Sequence, residues 1–283
     1  MATTLPEIGT TRATGRAATT VQRPSTALAA YSLWRREIVR FYRQKARVVG
    51  VIASPLLFWL VLGSGFANSF HTAGSGSSNG HYLGYFFPGS IVMIVLFTSI
   101  FSMMSLIQDR NEGFLLSVLA APVSRSAIVL GKVLGGATLA AIQGIIFLVF
   151  APLVGVHAGV GAILLGMLVI AMLAFELTAL GFTIAWPMDS SQAFHAIVNL
   201  LLLPLWMLSG SLFPASGASP WMHALMRANP LAYGVDALRN LLFPAQPTDE
   251  PLAVNLLVTG GFCVLCFAAA WLVVNRRTHK PAA

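Results

Sequence analysis

The chain has 283 residues, of which 57% are apolar and only 9% charged. A soluble domain carries about 25% charged residues, so this composition cannot clothe a water-exposed core, and it excludes both a soluble enzyme and a disordered polypeptide. The net charge of +8 would suggest nucleic acid on a soluble protein. In an apolar chain it is the placement of the charges that carries meaning, and no nucleic-acid partner is expected.

Residues 1–25 are rich in Ala, Thr and Arg and lack the apolar core of a signal peptide. They read as a disordered cytoplasmic tail. The segment Thr26–Ala46 reads as an amphipathic helix, with Leu28, Tyr31, Trp34, Ile38 and Phe41 on one face at three- and four-residue spacing. Arg36, Arg40 and Arg43 lie off that stripe. Such a helix is expected in the membrane interface, with its aromatic side in the acyl boundary and its arginines at lipid phosphates. A soluble helix packed on a partner protein is the other reading.

Six stretches reach the roughly 20 apolar residues that a helix needs to cross a bilayer: Val48–Ala67, Tyr85–Ile107, Ile128–Leu153, Val160–Trp186, Ala193–Phe213 and Leu252–Val274. They are apolar on all sides without period-two alternation, which favours helices over barrel strands. Pro55, Pro88 and Pro204 are expected to kink theirs. Nine basic residues precede the first stretch, Arg110, Arg125 and Lys132 flank the second connection, and Arg276, Arg277 and Lys280 follow the last. With six spans all of these share one side, leaving Arg227 and Arg239 on the other. The asymmetry places both termini in the cytoplasm. Residues 47–275 form one transmembrane domain, and 276–283 a basic tail.

The second connection begins Gln108-Asp109-Arg110-Asn111-Glu112-Gly113 and ends at Pro122. Asp109 and Glu112 are expected at the N-terminus of a short helix, where they suit its dipole. Phe114, Leu115, Val118 and Leu119 would make an apolar ridge, either a knob for a soluble partner or a face lying on the bundle. Pro214–Pro251 is too long for a turn. It reads as two short helices, Pro220–Arg227 and Leu231–Phe243, broken at Asn229-Pro230 and dipping into the outer leaflet. Asn68–Gly84 is a Gly- and Ser-rich flexible link.

No P-loop pattern and no metal-ligand spacing are present, so neither a bound nucleotide nor a metal is expected on this chain. Cys263 and Cys266 sit in an apolar run and read as packing residues. Glu176 lies deep in the fourth span, where a carboxyl must be neutral, paired or facing a polar cavity. Glu176 and Asn199 are candidates for a translocation path. Gln143 and Thr178 read as helix-to-helix hydrogen-bonding groups. An intramembrane serine protease using Ser209 or Ser211 is an alternative, but His195 lies about 20 Å along the helix from them. A secondary transporter is a second alternative, with one deep acid and no evident repeat.

Phe87-Pro88-Gly89, the run Asp109–Gly113 followed by Ala121-Pro122-Val123-Ser124-Arg125 and Gly131-Lys132, and Asn229-Pro230-Leu231 with Tyr233, Asp236 and Arg239 stand in a fixed order on this chain. In them it resembles the ABC-2 permeases, the group that includes daunorubicin-, nodulation-factor- and capsule-polysaccharide-exporter permeases. The likeness covers about residues 30–275. It implies an all-α membrane fold of six transmembrane helices with an N-terminal interfacial helix, a cytoplasmic coupling helix and an outer re-entrant pair. It implies a bacterial inner-membrane exporter subunit, without catalysis of its own, beside a second permease chain and a cytoplasmic ATP-binding cassette subunit that holds ATP and Mg. The coupling segment would comprise Asp109, Arg110, Glu112, Gly113, Phe114, Leu115, Val118, Pro122 and Arg125. The interfacial helix would use Tyr31, Trp34, Arg36, Ile38, Arg40 and Phe41. The outer motif would comprise Asn229, Pro230, Tyr233, Asp236 and Arg239. The cargo implied is lipophilic or lipid-linked.

Overall fold

A computed structural model of the chain describes residues 25–43, 45–65, 81–246 and 248–276. The tail 1–24, most of the Gly/Ser link and residues 277–283 lie outside the described residues. Every element among the described residues is helical. α1 (Thr26–Arg43) and α2 (Lys45–Gly65) precede a long α3 (His81–Asn111), a short α4 (Phe114–Ala120) and α5 (Arg125–Leu148). α6 (Val160–Ala185), α7 (Ser191–Trp206), α8 (Pro220–Ala228), α9 (Pro230–Leu242) and α10 (Leu252–Asn275) follow.

Five helical stretches among the described residues are long and apolar enough to cross a membrane: α3, α5, α6, α7 with the turn after it, and α10. The first expected span falls on α2, where the described residues include a shorter apolar stretch, Pro55–Gly65. α3 is the hub. Its Phe86, Phe87, Ile91, Val92, Val95, Ile100 and Met103 have no exposure, because α2, α5, α6 and α7 surround it. Outward faces carry Leu164, Leu200, Leu257 and Val264, a surface suited to lipid and not to water.

Lipid tails are as apolar as leucine, so these helices associate through close packing and hydrogen bonds. Gly136, Ala140 and Gly144 share a stripe of α5 at four-residue steps. A Cβ on Gly144 would meet Ile170 of α6 at 2.7 Å and Val95 of α3 at 2.8 Å, so this glycine sets how near the three helices lie. Beside it Thr98 donates to Gln143 across α3 and α5, as expected for Gln143. Thr178 instead bonds the Ala174 carbonyl of its own helix.

Pro55, Pro88 and Pro204 lie inside uninterrupted helices. The break in α7 comes later, at a π turn over Met207–Ser211 in which Gly210 takes φ 75°. That left-handed backbone suits glycine alone at little cost. α8 and α9 part at Asn229, whose extended backbone precedes Pro230 and whose side chain accepts from the Leu231 N–H at 3.0 Å.

Candidate functional site

The conspicuous polar construction lies where α1, α3 and α5 meet. α1 crosses α5 on Ala29, Ala30, Leu33, Glu37 and Phe41. Gly131 and Gly135 permit the approach. A Cβ on Gly131 would sit 2.6 Å from Leu33 and one on Gly135 2.8 Å from Glu37. This face differs from the expected aromatic stripe. Phe41 belongs to both, but Leu28 and Tyr31 stay exposed. Trp34 stacks on Tyr31 and donates to Thr138 of α5 at 3.1 Å, and Ile38 is half-buried.

Glu37, buried, accepts from Lys132 at 2.6 Å and from Ser105 at 2.8 Å. Lys132 also donates to Asp109, which has no exposure. Arg36 grips the same carboxylate with two nitrogens, at 2.7 and 2.8 Å, and Arg40 adds a third donor at 2.6 Å. Three cations thus enclose two carboxylates, and every buried charge has a partner, as burial requires. The expected position of Asp109 at a helix N-terminus is corrected here. It occupies the last turn of α3, among carbonyls whose dipole disfavours an anion, and the three cations offset that. Arg36 and Arg40, expected at lipid phosphates, are committed to Asp109 instead. The hydrogen bonds to Asp109 push the Arg36 guanidinium above its ordinary value, although burial opposes this.

The rest of the connection is strapped to its neighbours. Arg110 donates to the carbonyl of Trp186, to that of Met188 at 2.9 Å and to Asp189 at 3.0 Å, all between α6 and α7. Arg125 donates to the Val274 carbonyl at the end of α10 at 3.0 Å. Gly113, at φ 76°, turns the chain from α3 into α4, and Arg36 lies over the Phe114 ring at 3.7 Å. The expected ridge is only partly the face that α4 shows. Leu115 is buried and Phe114 and Val118 are half-buried, so these turn toward the bundle. Leu116, at 67% exposed, and Leu119, at 42%, point away with Pro122. Exposed Glu112 keeps a loose contact with Arg40 at 3.7 Å.

At the far end the outer motif gathers round the broken end of α7. The Gly210 carbonyl accepts from Tyr85 at 2.8 Å and from Arg239 at 3.0 Å. Asn229 donates to the Leu205 carbonyl at 2.6 Å, and Trp206 to that of Gly89 at 2.9 Å. Gly89 is needed there because a Cβ would strike Ser211. Asp236 pairs with Arg239 at 2.6 Å. Burial pushes its carboxyl up to about 6, although Arg239 pulls the other way. Tyr233 stands apart and donates to the Arg227 carbonyl of α8.

The two path candidates do not meet. Asn199 is on the exposed face of α7. Glu176 is fully buried against α10, where Cys263 Sγ lies 3.7 Å from its Oε2. Ser209 donates to the Trp206 carbonyl and shares a 2.6 Å bond with Ser211. His195 packs on Phe101 at the opposite end of α7, so no serine–histidine pair forms on this helix.

Residues 29–243 match the family model described as ABC-2 type transporter. The chain belongs to the ABC-2 type transporter family. This permease is 27% identical over 215 residues to the transport permease ycf38 of Cyanophora paradoxa, covering 75% of this chain and 73% of that protein. It is 24% identical to nodulation protein J of Neorhizobium galegae, over 90% of this chain and 95% of that one. It is also 24% identical to the daunorubicin resistance ABC transporter permease protein DrrB1 of Streptomyces coeruleorubidus, over 78% of each. Family and apolar helices together make the chain a membrane-embedded, multi-pass transport permease.

Glu37, Ser105 and Lys132 were missed as site residues by sequence reasoning. Lys132 alone gave a signal, as a lysine just inside a predicted span, which must find an anion or reach water, and as part of the Gly131-Lys132 pair in the family resemblance. Leu116 was missed because helical period alone does not tell which side of a seven-residue helix is covered.

Proposed function

We propose that this permease is the membrane half of an ATP-driven exporter, one of two paired permease chains worked by a separate cytoplasmic ATPase that holds ATP and Mg. α4 is the coupling helix, and Leu116, Leu119 and Pro122 are the surface the ATPase grips. The carrying observation is the junction behind α4. Arg36 joins Phe114 and Asp109, Lys132 joins Asp109 and Glu37, and Arg110 holds the α6–α7 connection. A push on α4 therefore reaches α1, α3, α5 and α6 together, and does work only if the two bundle states contact the ATPase differently.

Arg36, Arg40, Arg43, Arg110, Arg125, Lys132 and Arg276 cluster at this end, and by the positive-inside rule it is cytoplasmic. α2 supplies the sixth crossing, both tails lie inside, and α8 and α9 dip into the outer leaflet of a bacterial inner membrane. The cargo route runs between the two chains near α3 and α7. Its apolar walls suit a lipophilic or lipid-linked cargo, and daunorubicin resistance in the name of one relative supports that choice.

The test is whether a P-loop ATPase is encoded beside this permease and co-purifies with it, followed by reconstitution. Leu116→Asp with Leu119→Asp is expected to abolish the complex while membrane insertion persists. Glu112→Arg is expected to leave ATP hydrolysis and stop export. Transport of cargo by the permease alone, with no ATPase present, overturns the reading.

A further inference from the structure

The seam between α6 and α10 carries more polar groups than packing needs. Glu176, Thr259 and Asn255 each have no exposure. Glu176 Oε1, Thr259 Oγ1 and Asn255 Oδ1 are all without a hydrogen-bond partner. An unpaired buried polar atom is costly, more so inside a membrane, and three on one seam indicate a common use. Asn255, Thr259 and Cys263 follow one another at four-residue steps, about 6 Å apiece on a helix. One water spans such a gap with two hydrogen bonds of about 2.8 Å. Asn255 reaches the Glu250 carbonyl at 3.2 Å, where Asn240 of α9 also donates. Cys263 reaches Glu176 at 3.7 Å.

The file has a direction. From Glu176 toward the Asp109 end, α10 buries Cys266, Ala270 and Val274, and the Glu176 face of α6 continues through Leu180 to Thr183, whose hydroxyl is spent on the Ala179 carbonyl of its own helix. That half offers a water almost nothing to bond. The half toward the far end offers Thr259, Asn255 and the Glu250 carbonyl. Among the described residues, the ionisable groups bearing on Glu176 are Cys263 and Cys266 of α10. The other helices packed on α6, which are α3, α5 and α9, add none.

We propose that Glu176 is a proton-exchange site, served by water along the α6–α10 seam from the end of the bundle opposite Asp109. The carboxyl O–H passes its proton to a neighbouring water as its other oxygen takes one back, so exchange leaves no net charge in the membrane. Thr259 and Asn255 hold that water in line, and the apolar half seals the route against a leak across the bilayer.

Infrared spectroscopy on the permease in lipid nanodiscs, mixed into D2O, tests this without any ATPase or cargo, so its outcome is separate from the exporter reading. A carboxylic-acid carbonyl band absent in Glu176→Gln is expected, with a rapid deuterium shift. Thr259→Val and Asn255→Leu should each slow that shift about tenfold or more. Thr259→Ser, which keeps the hydroxyl, and Val274→Ala, on the sealed half, should exchange at the original rate. A seam-independent rate, equal slowing by Val274→Ala, or no band assignable to Glu176 would overturn the proposal.

Discussion

The two ends of the bundle face the same difficulty, stranded helix termini among apolar neighbours, and answer it with different chemistry. At the Asp109 end the answer is ionic, with two carboxylates inside a cage of one lysine and two arginines. At the far end the groups bonded are mostly backbone carbonyls. Tyr85, Asn229 and Arg239 aim donors at the carbonyls of Leu205 and Gly210 that the π turn leaves free. A neutral bond lost costs one bond. A member lost from a charge cage leaves the remaining charges in place with fewer partners. The first end is therefore all-or-none, a property suited to passing on a push, whereas the second yields in steps.

The sharpest way to break that contrast is Lys132→Ala. Glu37 and Asp109 then share the interior without their common cation, and the variant is expected to lose about 3–5 kcal/mol of stability. Thermal unfolding followed by size-exclusion chromatography reads the loss. Glu37→Leu with Lys132→Met removes one charge of each sign and fills the space, so it is expected to regain most of that stability. If the single and double variants are equally unstable, the cage is ordinary packing and the contrast fails.

A smaller effect separates the ends by pH. Asp236 has its folded value near 6, above its ordinary 3.8. The stability this group contributes is full below about pH 4 and is lost as pH rises through 6, up to about 3 kcal/mol in all. Asp236→Asn, which keeps an acceptor for Arg239, is expected to flatten that decline and to be the more stable form at pH 8. Unfolding midpoints of both forms between pH 4 and 8 check the sign. A wild-type protein that gains stability across this range contradicts the assignment.

Much of the architecture is legible because it follows from lengths and breaks. Five apolar runs reappear as α3, α5, α6, α7 and α10 within a few residues, and Asn229-Pro230 parts α8 from α9 as the restriction before proline demands. Sites that depend on which helices touch are less legible. Asp109 stands beside Glu112 in sequence, yet the turn at Gly113 leaves one buried at the end of α3 and the other in solvent. In the sequence Glu37 is one more charge on an amphipathic helix. It becomes interior only because Gly135 of α5, about a hundred residues on, has no side chain in its way. Glu176 was visible as a lone deep acid, but the unpaired atoms of Thr259 and Asn255 along the same seam emerge only when α6 and α10 are laid together.

The mildest variant bears most directly on how the far end yields. Tyr85→Phe removes one of the two donors on the Gly210 carbonyl and leaves Arg239, which also lies over the Tyr85 ring at 4.4 Å. Because that carbonyl stays bonded and the ring stays in place, the expected loss is about 1 kcal/mol. It should appear as a small shift in unfolding midpoint with insertion unchanged. A loss as large as that of Lys132→Ala would mean that Tyr85, Gly210 and Arg239 act as one unit. The two ends would then differ in the chemistry of their bonds but not in how they fail.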